Sequence, residues 1–125
     1  MSLRGDRGAV AVEFAFVLPI LATLLIGVIE FGNAYGTQLT ITNAAREAAR
    51  TMAVQNSPSS ARTAAITAAA AVSPAMTTSE IAISPSTCTA GATTTVTISY
   101  PFKFLTGFFG TGFTMTGKAA MQCGG

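Results

Sequence analysis

The sequence lacks the residue types on which most enzymatic and metal-binding chemistry depends. Its 125 residues include no histidine and no tryptophan, and only 10% are charged. Histidine is the commonest general base and the commonest metal ligand. Three carboxylates follow the first apolar segment, Glu30, Glu47 and Glu80, which are too few to form a pair at a recognisable spacing. We therefore expect no catalytic residue, no metal, no cofactor and no small-molecule substrate.

Positive charge and cysteine are also scarce. The net charge is only +2 and no run of basic residues occurs, which argues against nucleic-acid binding. The two cysteines, Cys88 and Cys123, are too far apart in the chain to match a zinc-ligand pattern. They predict a disulfide if this part of the chain lies outside the cytoplasm.

What the sequence does contain is a long apolar segment near its start. Residues 14–29 are sixteen positions without a charge, and residues 9–12 extend the run to 21, interrupted only by Glu13. A membrane-spanning helix needs about 20 apolar residues. Pro19 is tolerated in such a helix, usually with a kink. The pattern predicts a transmembrane helix over residues 9–30.

The charges that flank this segment predict its direction. Arg4 and Arg7 precede it, and the next basic residue is Arg46. Positive charge stays on the cytoplasmic side, so we expect a cytoplasmic N-terminus and an exported remainder. An alternative is a secretory signal peptide, with a small-residue cleavage site at Ala34-Tyr35-Gly36.

Helical periodicity continues after the apolar run and predicts an exported helical extension over residues 31–55. One face of this extension is made of small and apolar residues, spaced three and four apart: Ile41, Ala44, Ala45, Ala48 and Met52. The face packs either on the chain's own C-terminal domain or on a partner. Gly27, Gly32 and Gly36 are points at which the helix could bend.

The rest of the chain predicts an α+β fold. Ser57 can cap a second helix over residues 57–73, with Pro58 at its first position. Apolar and polar residues then alternate around 81–83, 95–100 and 113–121, which predicts a small three-stranded antiparallel sheet in residues 80–125. Each strand has one apolar face, and the exported helices are available to cover it.

If these strands form a simple meander, the two ends of the sheet differ in composition. Cys88 in the first turn and Cys123 after the last strand fall at the same end, and a bridge would close a loop of about 36 residues, worth about 3.5–4 kcal/mol. The other end carries the segment 101–110, which contains four of the eight phenylalanines. It is either core or a surface for a partner or the bilayer edge, formed by Phe102, Phe104, Leu105, Phe108 and Phe109.

Gly8, Glu13 and Phe14, after the charged leader MSLRGDRG, resemble the processing motif of Flp-type pilins. With VEFAFVLPILATLLIGVIEFGNA (residues 12–34) and AAREAAR (residues 44–50), they resemble the TadE-like pseudopilins of tight-adherence (Tad/Flp) pilus systems. The resemblance implies that a prepilin peptidase removes leader residues 1–8 and leaves Ala9 as the new N-terminus. It also implies a minor pseudopilin that acts in assembly, priming or the tip of a type IV-like pilus. Flp major pilins are little more than the helix, whereas this chain has an exported domain.

The same resemblance implies partners: the prepilin peptidase, a second, TadF-like pseudopilin, the major Flp pilin and the bacterial inner membrane. Glu13 then has two interpretations. It pairs with the α-amine of Ala9 on a neighbouring subunit, or it serves only in recognition by the peptidase. A different class of function also remains, an uncleaved single-pass surface protein that binds as an adhesin.

Overall fold

The computed structural model describes residues 3–124. Helix α1 spans Leu3–Gln55 and helix α2 spans Pro58–Ala68, and a short 3-10 helix, Thr78–Glu80, precedes strands β1 (Ile81–Ser84), β2 (Thr93–Lys103) and β3 (Gly112–Gln122). The predicted α+β class is confirmed: a long apolar N-terminal helix, a second short helix and a three-stranded antiparallel sheet. Residues 1 and 2 of the predicted leader and residue 125 of the predicted sheet region lie outside the described residues.

The chain forms two compact units. The N-terminal unit extends to Asn33, and the C-terminal unit begins at Ala34 and contains everything that follows. Helix α1 contributes to both, and it is helical through Gly27, Gly32 and Gly36. From Ala34 on, the helical extension that the sequence predicts over residues 31–55 is therefore part of the C-terminal unit.

The sheet of the C-terminal unit is an antiparallel meander in the order β1-β2-β3. Its period-two pattern separates two faces, as the sequence predicts. Val96, Ile98 and Tyr100 are completely buried on one face, whereas Thr97 is half-buried and Ser99 is exposed on the other. The buried face carries the core, and the exposed face is rich in threonine.

Helix α1 covers the buried face of the sheet with the small-residue stripe that the sequence predicts. Ile41, Ala44, Ala45, Ala48 and Met52 are all 0% exposed. The approach is close at Gly117 of β3, where a Cβ atom would lie 2.5 Å from the Cγ2 atom of Ile41. The stripe therefore packs on the chain's own sheet, which decides between the two interpretations of this face.

Helix α2 begins as predicted and ends earlier than predicted. The Ser57 hydroxyl accepts a hydrogen bond from the backbone N–H of Ser60, at 3.3 Å, and Pro58 is the first residue of the helix. The helix ends at Ala68 rather than near residue 73. The backbone there tightens into three-residue turns, in which the N–H of Val72 bonds to the carbonyl of Ala69, so that Val72 packs against the core.

Strand β2 is longer than the sequence predicts, because it continues through Pro101 to Lys103. Proline lacks a backbone N–H and is tolerated where a strand has no neighbour on that side. Strand β1 pairs only with residues 95–98 of β2, so Pro101 lies beyond its end. The segment 101–103, predicted as loop, is therefore strand.

Candidate processing and assembly segment

The first four turns of α1 present the residues of the predicted processing motif. Gly8, Ala9, Glu13 and Phe14 all lie in the helix and are all exposed, with Phe14 at 60%. Ala9 and Glu13 are four residues apart, so they share one face of the helix. The predicted scissile bond, between Gly8 and Ala9, is therefore accessible but helical.

Nothing in the described structure requires glycine at position 8. A Cβ atom built on Gly8 would meet no atom within 4 Å, and the same holds for Gly5. Glycine costs a helix about 1 kcal/mol relative to alanine, so this segment unwinds more readily than the apolar turns after it. An unwound backbone is what a protease needs at a scissile bond.

The apolar run has almost no protein cover. Apart from half-buried Ile26, its large hydrophobic side chains from Val10 to Ile29 are 47–74% exposed. One helix of the described residues is long and apolar enough to cross a membrane; its best window has a mean hydropathy of 2.5 and none of it is buried. The polar Thr23 hydroxyl inside the run donates to the Pro19 carbonyl at 2.8 Å, as hydroxyls in membrane helices do.

One carboxylate, Glu13, lies inside this run and another, Glu30, follows its end, and their surroundings differ. Glu13 is exposed, whereas Glu30 is completely buried. Burying a carboxylate costs free energy unless it is paired or hydrogen-bonded. The burial of Glu30 is not predictable from the sequence, because no local pattern distinguishes a buried glutamate from an exposed one.

The disulfide end of the sheet holds the C-terminal end of α1. Cys88 and Cys123 form the predicted disulfide, with their Cα atoms 5.6 Å apart. The Asn56 side chain accepts a hydrogen bond from the Cys88 backbone N–H at 2.6 Å, and the Gly124 N–H donates to the Ala53 carbonyl at 3.2 Å. Both halves of the bridge are thus tied to the last turn of the helix.

Asn56 is a structural residue that the sequence-based prediction does not include. It follows the last helical residue with a positive φ of 49°, a conformation that asparagine adopts more readily than most residues. Asparagine directly after a helical pattern is a known helix-ending signal and could have located this position. Its contact with Cys88 lies 32 residues away along the chain and carries no sequence signal.

The phenylalanine-rich segment divides into core and surface. Phe102 is only 2% exposed and Phe104 is half-buried, whereas Leu105, Phe108 and Phe109 are 66%, 59% and 40% exposed. The prediction that Phe102 belongs to a partner surface is wrong, because Phe102 lies in β2 two residues after Tyr100 and so faces the core. Phe102 and Phe104 also pack with Phe113, with ring centroids 5.4–5.9 Å apart.

The described residues contain no group of three or more His, Cys, Asp or Glu side chains that could hold a metal ion. The buried Tyr100 hydroxyl donates to the Pro74 carbonyl. Burial, and secondarily the negative charge of Glu80, raise the pKa of Tyr100 above its ordinary value. This interaction joins β2 to the loop after α2 and has a structural role.

Comparison with known proteins identifies the N-terminal segment. Residues 8–50 match the family model described as TadE-like protein, which covers the Gly8–Glu13 motif, the apolar run and most of the buried helical stripe. No curated protein and no solved structure matches the chain. The family and the long apolar helix indicate a membrane-anchored protein associated with the Tad pilus machinery. The resemblance inferred from the sequence is thereby confirmed, and residues 8–50 are a TadE-like segment.

Proposed function

We propose that this protein is a minor pseudopilin of a Tad pilus, cut after Gly8 by a prepilin peptidase on the cytoplasmic side of the inner membrane. The observation that carries the proposal is the match of residues 8–50 to TadE-like proteins, which begins at the glycine of the predicted cleavage site. The open space around Gly8 supports it. A glycine that packing does not require is consistent with selection by a peptidase.

Cleavage leaves a chain that begins at Ala9 and still carries the whole C-terminal unit. Processing would therefore change the membrane segment without disturbing the folded sheet. Cleavage by a secretory signal peptidase near residues 34–36 fits less well, because Ala34 is buried at 7% exposure in the core of that unit. Such a cut would fall inside a packed helix.

The test is co-expression of the chain with an active prepilin peptidase, followed by intact mass measurement. We expect a loss of the first eight residues. A Gly8→Val variant should keep its full mass, while Gly5→Val, the matched control at another glycine with open surroundings, should be cut normally. Full-length mass of the unmodified chain beside an active peptidase would refute the pseudopilin assignment. It would favour the uncleaved, membrane-anchored adhesin.

Glu13 has a second role in this proposal, as a contact between subunits. It lies four residues after Ala9, about 6 Å along the helix. A carboxylate in the middle of a bilayer costs about 2.5–3.5 kcal/mol, and the cost is smaller near the interface. When subunits pack, the α-amine of Ala9 on a neighbour, with an ordinary pKa near 8, is the natural partner and would set the axial register.

Variants at Glu13 distinguish pairing between subunits from recognition by the peptidase. Glu13→Val and Glu13→Gln should both insert into the membrane. If pairing is needed, both should fail to assemble with the second, TadF-like pseudopilin even when they are expressed without residues 1–8, which removes the need for cleavage. Normal assembly by the pre-shortened Glu13→Val chain would eliminate the pairing role. The pseudopilin assignment would still stand, because it is tested by mass.

The C-terminal unit is proposed to act without catalysis, as a structural module that other pilus components contact. The exposed Leu105, Phe108 and Phe109 are the remaining members of the predicted partner surface.

A further inference from the structure

Exposed apolar side chains in the C-terminal unit are concentrated at one end of the sheet. The large hydrophobic residues of this unit that are exposed in the described structure are Tyr35, Leu39, Val54, Leu105, Phe108, Phe109, Phe113 and Met121. Four of these eight lie in or beside the turn between β2 and β3. We call Leu105, Phe108, Phe109 and Phe113 the apolar tip.

The apolar tip is an ordered feature. The N–H of Phe108 donates to the Thr106 hydroxyl at 3.2 Å, and the N–H of Gly110 donates to the Gly107 carbonyl, also at 3.2 Å. The rings of Phe108 and Phe109 pack edge to face with centroids 5.1 Å apart. The turn therefore holds its hydrophobic side chains outward in a defined arrangement instead of folding them into the core.

Contacts between α1 and β3 show which end of the C-terminal unit carries the tip. The Gly124 N–H bonds to the carbonyl of Ala53, Gly117 lies against Ile41, and the Thr116 carbonyl accepts from the Gln38 side chain at 3.0 Å. Moving back along β3 thus means moving back along α1. The start of β3 at Gly112, and the apolar tip beside it, therefore lie at the end of the unit where α1 enters it at Ala34.

That end is joined directly to the apolar run. Ala34, the first residue of the unit, follows Ile29, the last apolar position of the run, by only five positions. Even a fully extended chain of this length spans no more than about 18 Å. Whatever the arrangement of the two units, the end of the unit with the tip is therefore held close to the membrane surface.

We propose that the apolar tip inserts into the interfacial region of the bilayer and gives the protein a second membrane contact. Phenylalanine and leucine side chains on an interfacial element bury about 5–10 Å into the boundary between head groups and acyl chains. Exposed Lys103, beside the tip, can approach lipid phosphates. The opposite end of the sheet carries the disulfide and mostly polar or small residues. This contact does not depend on cleavage after Gly8.

The absence of tryptophan makes the proposal directly testable. A Phe108→Trp variant of the full chain is reconstituted in vesicles of phosphatidylethanolamine and phosphatidylglycerol, with and without lipids brominated on their acyl chains. The matched control is Val54→Trp, because Val54 is similarly exposed but lies near the disulfide end. A Leu105→Trp variant provides a second probe of the tip. A cooperative thermal transition in far-ultraviolet circular dichroism checks that each variant is folded, since the added tryptophan masks the tyrosine signal in the near ultraviolet.

We expect both tip variants to show blue-shifted emission and a loss of intensity with brominated lipids, and Val54→Trp to show neither. Bromines close to the head groups should quench more strongly than bromines deep in the acyl chains. Red-shifted, unquenched emission from both folded tip variants, equal to that of Val54→Trp, would overturn the proposal. The tip would then be a surface for a protein partner.

Discussion

The close approach of helix α1 to Gly117 predicts that the single substitution Gly117→Ala destabilises the C-terminal unit. The new Cβ atom would lie 2.5 Å from the Ile41 Cγ2 atom and 2.9 Å from the Ile41 carbonyl oxygen. Side-chain rotation can relieve the first contact, but the second involves helix backbone. Relief therefore requires α1 to move away from β3 along a face that is otherwise completely buried.

The magnitude follows from two opposing effects. Overpacking a filled core costs about 1–3 kcal/mol, and contact with backbone places this site toward the upper end. Replacing glycine by alanine in a strand recovers about 0.5–1 kcal/mol of conformational entropy. The net loss is about 2 kcal/mol. For a domain of 60–100 residues, 1 kcal/mol shifts Tm by about 4–8 °C, so we expect Tm to fall by about 8–16 °C.

The assay is thermal unfolding of the full chain in detergent micelles. It is followed by the near-ultraviolet circular dichroism of Tyr100, which is completely buried in the C-terminal unit. The matched control is Gly36→Ala in α1, where a Cβ meets nothing within 4 Å. This variant should be unchanged or more stable by up to about 1 kcal/mol, since alanine favours helix.

A double variant tests the assigned contact. Ile41→Ala alone should cost about 2–5 kcal/mol, as large-to-small core substitutions do. Combined with Gly117→Ala it should cost less than the sum of the two, because the smaller side chain accommodates the new methyl group. Strict additivity, or a Gly117→Ala variant as stable as Gly36→Ala, would refute the reasoning.

Three further predictions concern the same unit. Reducing the Cys88–Cys123 bridge should lower the free energy of unfolding by about 3.5–4 kcal/mol, since the bonded residues are 35 positions apart. Chemical denaturation with and without reductant measures the difference, and equal stabilities would contradict the prediction. Thr94→Val should raise the free energy of unfolding by about 1 kcal/mol, because the buried Thr94 hydroxyl has no hydrogen-bond partner among the described residues. The control Thr97→Val, at a half-buried position, should change it by less than about 0.5 kcal/mol in the same denaturation assay. The pKa of Tyr100 is raised in the folded state, so the folded state binds this proton more tightly than the unfolded state does. The free energy of unfolding should therefore fall as pH rises above about 10. Tyr100→Phe should lose that part of the pH dependence, and an unchanged slope in this variant would contradict the prediction.

Local sequence patterns determined the elements of this protein and the location of its candidate site. The apolar run needs only its length and composition to predict a membrane helix, and the stripe from Ile41 to Met52 needs only helical spacing. The cap at Ser57 and the alternation from Thr95 to Tyr100 are also local. The predicted Gly8–Glu13 motif is also local, and it lies within the segment that the family model matches.

Tertiary structure alone decided which residues of the phenylalanine-rich segment are buried. Phe102 and Phe108 are the same residue type in one short stretch, yet they are 2% and 59% exposed. The difference arises because β2 continues through Pro101, which in turn depends on where its pairing with β1 ends. Strand length is a property of paired strands, so composition within residues 101–110 could not reveal it.

The close approach at Gly117 and the contact between Asn56 and Cys88 have the same origin. Each joins residues far apart in the chain, and each depends on the register of α1 against β3 or on the closure of the disulfide end. Periodicity indicates which face of an element is apolar, but it does not indicate which residues that face contacts. Local patterns therefore indicate the type and order of the elements, their apolar faces and the predicted processing motif. Long-range packing sets the close approach at Gly117, the length of β2 and which phenylalanines reach the surface.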